Sequence, residues 1–99
     1  MKKTFALTHP KLNLARLVEA IKFEVKKYIK RERNKKLPDG VDYWDFDCKY
    51  GHTEDTAQTV HLSTINKCID EAENLSLASF YLEILVKPGY RTKKSVDEP

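Results

Sequence analysis

Seven side chains in the first third of the chain combine positive charge with one aromatic ring: Arg16, Phe23, Lys26, Lys27, Lys30, Arg31 and Arg33. They fall in a helical stretch, residues 13–36, either opposite its apolar stripe or in its last turns. Ammonium and guanidinium groups hold phosphates, and an aromatic ring between them stacks on an unpaired base. Phe23 lies about 180° from the centre of the stripe on a helical wheel, which sets it among the lysines. This is chemistry suited to RNA or to a ribonucleoprotein. Ordinary structure accounts for much of it as well. Solvated lysines need no partner, Phe23 can rest on lysine stems, and basic residues in a last turn complement the helix dipole. Arg91, Lys93 and Lys94 add cations in a polar C-terminal stretch that would reach further phosphates as a flexible arm.

A second constellation is acidic. Asp45 and Asp47 share one face of a strand, where Tyr43, Tyr81, Glu83 and His61 could join them. Paired carboxylates hold Mg²⁺ or act as an acid and a base, which would make a metal-assisted hydrolase. No glycine-rich phosphate loop, activated nucleophile or third partner accompanies them, so no residue is assigned a catalytic role. The same face reads more simply as a sheet surface guarded by charge. Its apolar spots, Tyr43, Tyr81 and Leu85, would suit a protein partner or a second copy of the chain. Cys48, His52, His61 and Cys68 lack any closely paired ligand unit, and Cys48 alternates with core residues. No metal or cofactor is expected.

The elements that position these residues follow from periodicity. Lys3 to Thr8 alternates as a strand, and His9-Pro10 ends it. Asn13 is a helix N-cap, and Leu14, Leu17, Val18, Ile21, Val25, Tyr28 and Ile29 form one stripe. The polar end, Lys30 to Lys36, is expected to overhang the sheet, because a six-residue strand is only about 20 Å long. A turn at Leu37-Pro38-Asp39-Gly40 leads to a strand from Val41 to Tyr50 and a loop over residues 51–55. Residues 56–62 read as a strand with some helical character. Ser63 is the expected cap of a second helix ending near Leu75, and Ser79 to Lys87 alternates again. The fold expected is α+β, ferredoxin-like βαββαβ. Its antiparallel sheet has four strands, or three if residues 56–62 are not one, with two helices packed on one face. The domain spans 1–88, and 89–99 form a flexible polar tail. RNA-recognition modules of this general shape stack bases on aromatics of two central strands. The corresponding positions here, Thr4, Ala6, Thr8, Thr59 and His61, hold no Phe, Tyr or Trp, so any RNA contact belongs on the first helix.

Composition narrows the class. Ninety-nine residues make one domain, and 40% apolar with 33% charged residues suits a soluble protein rather than a disordered one. The opening MKKTFALTHP lacks the apolar core of a signal peptide, and no run is long enough to span a membrane. Two well-separated cysteines suit free thiols in a cytoplasm. The net charge of +3 conceals an asymmetry. Residues 1–36 carry twelve Lys or Arg against three Glu, a balance of +9; residues 37–99 carry six against twelve, a balance of −6.

KKTFALTHPK, VDYWDFDCKYG, INKCIDEA and FYLEILVKPGYRTKK together resemble a family of short, uncharacterised proteobacterial proteins. The resemblance covers nearly the whole chain. It implies a bacterial single-domain protein and carries over no activity, cofactor or catalytic residue.

Overall fold

Phe46, Cys48 and Tyr50 alternate with Asp47 and Lys49, while Phe80, Leu82 and Ile84 alternate along a second segment. The computed structural model, which describes residues 1–91, pairs these two segments at the centre of an antiparallel sheet. The elements are β1 (Lys2–Ala6), α1 (Leu14–Arg33), β2 (Tyr43–Gly51), β3 (Gln58–Val60), a 3₁₀ turn (Leu62–Thr64), α2 (Ile65–Asn74) and β4 (Ser79–Gly89). The sheet order is β1-β4-β2-β3. The register sets Phe46 opposite Val86, Cys48 opposite Ile84 and Tyr50 opposite Leu82, with Phe5 of β1 opposite Phe80. These side chains therefore share one face. Val18, Ile21 and Val25 of α1 and Ile65, Ile69 and Ala72 of α2 join them in one core cluster. Phe80 is its centre, stacked on Phe5 at 5.5 Å and tilted against Tyr50 at 5.9 Å.

The α+β class and the four-stranded antiparallel sheet are as expected from periodicity. Several details differ. The comparison with RNA-recognition modules put the first and third strands at the centre, whereas here β2 and β4 are central and β1 and β3 are the edges. The third strand shrinks to Gln58–Val60, because the chain turns into the 3₁₀ segment at Leu62. The second helix has Thr64 as its N-cap rather than Ser63, and His61 caps the 3₁₀ turn before it, its Nδ1 accepting from the Ser63 amide at 3.1 Å. Strand β4 continues through Pro88 to Gly89. The proline is tolerated because β1 reaches only as far as Ile84, and the missing N–H falls on that uncovered edge. The Arg91 amide still donates to Asp42 Oδ2 at 2.7 Å, and residues 92–99 of the expected tail lie outside the described residues.

The largest correction concerns the end of α1. Asn13 caps its start, with Oδ1 accepting from the Arg16 amide at 2.9 Å. The helix stops at Arg33, with Asn34 as its C-cap; Lys30, Arg31 and Arg33 are exposed, but Glu32 in the same turn packs against the domain instead of overhanging the sheet. Twenty residues rise about 30 Å, and the eleven residues of β4 span about 36 Å, so sheet and helix match in length. Glu32 is consequently buried, held by Lys35 Nζ at 3.0 Å. The Trp44 indole N–H donates to the Lys35 carbonyl at 2.9 Å, and the Arg33 guanidinium lies 5.5 Å over the Phe46 ring.

Two predictions follow from the packing. A Cβ on Gly51 would sit 2.5 Å from Ala57 Cα and 2.7 Å from its nitrogen, where only backbone could yield. Gly51→Ala should lower the unfolding free energy in urea by about 1–3 kcal/mol, as overpacking does. Burial, reinforced by Asp47 and Asp45, pushes the Cys48 thiol up to about 11 from 9.0. Burial, then Glu71, pushes the Tyr50 phenol up to about 12 from 10.0. Both groups are neutral in the folded state, so their stabilisation is complete below pH 9 and is lost as pH rises through the raised values. Urea unfolding at pH 7, 8, 10 and 11 should show stability level between the first two and falling over the last two, and Tyr50→Phe should make that fall smaller.

Candidate nucleic-acid interface

At about 100° per residue, Lys26, Lys30 and Arg33 fall nearly in line along α1, flanked by Phe23 on one side and Lys22 on the other. Val25 and Ile29 lie next to them, at the margin of the buried stripe. The chain between β3 and α2 passes alongside this part of the helix. Between the two runs a groove of about 820 Å³. One wall is α1, contributing Lys22, Phe23, Lys26, Lys30 and Arg33. The other wall is His61, Ser63 and Asn66, and apolar Val25, Ile29, Leu62 and Ile65 also line the space. Lys22 Nζ reaches Asp70 Oδ1 of α2 at 2.6 Å and ties the two walls together.

The seven basic-face candidates thus separate. Phe23, Lys26, Lys30 and Arg33 come together in the groove. Arg16, Lys27 and Arg31 do not line it. Arg16 is exposed two turns before Phe23, Lys27 is exposed on the outer side, and Arg31 stacks 5.7 Å over the Tyr28 ring. Phe23 is 67% exposed, so neither lysine stems nor neighbouring elements cover its ring. Among the described residues, Lys26, Lys30 and Arg33 make no ion pair, whereas Lys3, Lys22 and Lys35 each have a carboxylate partner. Sequence reasoning missed Lys22 and the whole second wall. Asn66 and Ser63 carry no local signal that they approach α1; only the packing of α2 brings them there.

The sheet-face candidates are arranged differently. Tyr43, Asp47 and Leu85 are exposed, and Asp45 and Glu83 are half-buried. Asp47 is engaged by Lys87 Nζ at 2.7 Å, and Asp45 Oδ1 accepts from the Phe46 amide at 2.8 Å. Tyr81, expected as an exposed apolar spot, is 3% exposed. It pairs with Gly51, which has no side chain to displace its ring. Its hydroxyl donates to Glu83 Oε1 at 2.7 Å, and chiefly this bond pushes the phenol up to about 12. Among the described residues, no three His, Cys, Asp or Glu side chains are grouped to hold a metal ion. Cys48 is in the core, His52 Nε2 lies 3.9 Å from Glu71, and His61 serves its turn. A smaller hollow of about 380 Å³ beside β3 is lined by Tyr50, His52, Cys68 and Glu71. The Tyr50 hydroxyl has no hydrogen-bond partner among the described residues.

The described residues therefore form an α+β domain with a cationic groove between its helical elements. The chain belongs to a family of unknown function, DUF6172, whose model matches residues 1–95. No curated protein and no solved structure matches it. Among the described residues no helix is long and apolar enough to cross a membrane.

The groove's cations depend on the docked end of α1. Trp44→Phe keeps an aromatic ring, though a smaller one, and removes the donor to the Lys35 carbonyl. It should cost about 1 kcal/mol and speed amide exchange at Asn34 and Lys35 while leaving exchange at Ile21 unchanged.

Proposed function

We propose that this chain is a cytoplasmic protein that binds RNA, alone or within a ribonucleoprotein, through the groove side of α1. The observation that supports this reading is the convergence of Lys26, Lys30 and Arg33, none paired with a carboxylate among the described residues, beside the exposed Phe23 ring. Unpaired cations in a concave site concentrate an anionic ligand, because field lines focus there. Phosphate contacts supply the affinity, and a stacked ring supplies tolerance for any base. Lys27, Arg16 and Arg31 lie outside the groove and contribute to the long-range field rather than to the contact. The sheet face is the weaker docking surface. Its carboxylates are engaged locally, Tyr81 is buried, and only Tyr43 and Leu85 are left as exposed apolar residues.

Three phosphate contacts predict a logarithmic salt slope near −2 for a single strand, so affinity should fall about twentyfold between 50 and 200 mM salt. Lys26→Glu combined with Lys30→Glu should weaken binding at least tenfold and flatten that slope, measured by fluorescence anisotropy with a labelled RNA oligomer. If amide signals of α1 stay put when RNA is titrated at low salt, the reading is wrong.

A further inference from the structure

We infer that the groove takes a single-stranded segment of two or three nucleotides, its phosphates along α1 and its bases against His61, Ser63 and Asn66. This rests on the RNA-binding reading and adds what kind of RNA is held, and which wall reads it.

The first argument is the placing of the cations. Lys26, Lys30 and Arg33 stand in single file, with rises of about 6 Å and 4.5 Å between them along the axis. One file tracks one backbone. The distance from Phe23 to Arg33 is about 15 Å, room for only a few nucleotides. An A-form RNA duplex hides its base edges in a deep, narrow major groove, and proteins hold it by its shape across successive minor grooves. On this side α1 does not project, because the His61–Asn66 segment stands beside it as the other wall of the groove. A strand with its bases unpaired can enter the concavity; a duplex cannot.

The second argument is the chemistry of the opposite wall. Its lining residues include no Lys or Arg, so the charge that would hold a second phosphate backbone is missing there. Its groups are neutral donors and acceptors. His61 Nδ1 accepts from the Ser63 amide at 3.1 Å, which leaves the proton of the neutral ring on Nε2 as a donor. Ser63 Oγ lies 2.8 Å from the same Nδ1 and, as its donor, keeps its lone pairs as acceptors. Asn66 is exposed and offers an amide that both donates and accepts. Such groups match base edges, which in single strands are free for hydrogen bonding. Ile29 and Leu62, both half-buried, give the bases apolar surface, and Phe23 at one end gives a ring to stack on.

The test uses the full chain with labelled RNAs: six-nucleotide homopolymers of A, C and U, and a sixteen-nucleotide mixed sequence in single-stranded and in duplex form. At low salt the mixed single strand should bind at least tenfold more tightly than its blunt duplex. Asn66→Ala, an exposed and helix-compatible change, should alter the relative affinities of the three homopolymers at least threefold while leaving the salt slope unchanged. Lys26→Ala should weaken all three alike and flatten the slope. Equal or tighter binding of the duplex overturns the inference, as does an Asn66→Ala variant with unchanged homopolymer ratios; either leaves RNA binding by α1 standing. Failure of the unaltered chain to bind any of these RNAs overturns both and turns attention to a protein partner.

Discussion

The length of α1 sets the terms for the rest of the molecule. An amphipathic helix of twenty residues has a continuous apolar stripe to bury, and only a long strand pair can cover it. β2 and β4 pair over nine positions and supply that surface. Because the sheet is as long as the helix, the polar last turn is held against β2 rather than released into solvent. Glu32 is buried there at 6% exposure, which is tolerable for a carboxylate because Lys35 pairs with it. Trp44 ties down the carbonyl end, and Arg33 finds the Phe46 ring. The cationic file along the groove is fixed in space as a consequence of this docking.

Charge distribution follows a second logic. A chain with a basic first third and an acidic remainder could be wholly self-complementary, but the ion pairs account for only part of the charge. Lys3 with Glu24 and Lys35 with Glu32 are pairs within the first third. Lys22 with Asp70 is the one ion pair, among the described residues, that joins a basic residue of that third to a carboxylate of the remainder. Such exposed or half-exposed pairs contribute about 0–1 kcal/mol each. Stability therefore does not explain the remaining cations of α1. They create a positive field on one side of the molecule, and the groove is where that field meets a concave, partly apolar surface.

Edges and open surfaces are managed by familiar means. β1 carries Lys2 and Lys3, and β3 is only three residues long, so neither edge is a long apolar template for another strand. Tyr43 lies over Gly89 so closely that a Cβ there would be 2.3 Å from the ring. Tyr81 is likewise set opposite Gly51. Aromatic rings opposite glycines close part of the sheet face without a further layer.

Local periodicity alone determined much of this protein. The two central strands, the stripe of α1, the Asn13 cap and core residues such as Phe46, Cys48, Ile69, Phe80 and Ile84 are all written in spacings of two or of three and four. The basic face was legible too, because a helical wheel needs no tertiary information. The groove was not. Its second wall comes from residues about forty positions away, and nothing near Ser63 or Asn66 signals that they stand beside Phe23 and Lys30. Alternation places Tyr81 on the open face of its strand, yet its burial depends on the neighbour it pairs with, Gly51. Glu32 looked destined for water because charge usually is, and a strand longer than expected reversed that. Strand order is equally silent in periodicity, since alternation fixes which side of a strand is buried and not which neighbour it pairs with. The sequence by itself determined which surfaces must be hidden and which side chains are charged. Only the tertiary structure decided which charges share a concavity, because that depends on contacts between segments far apart in the chain.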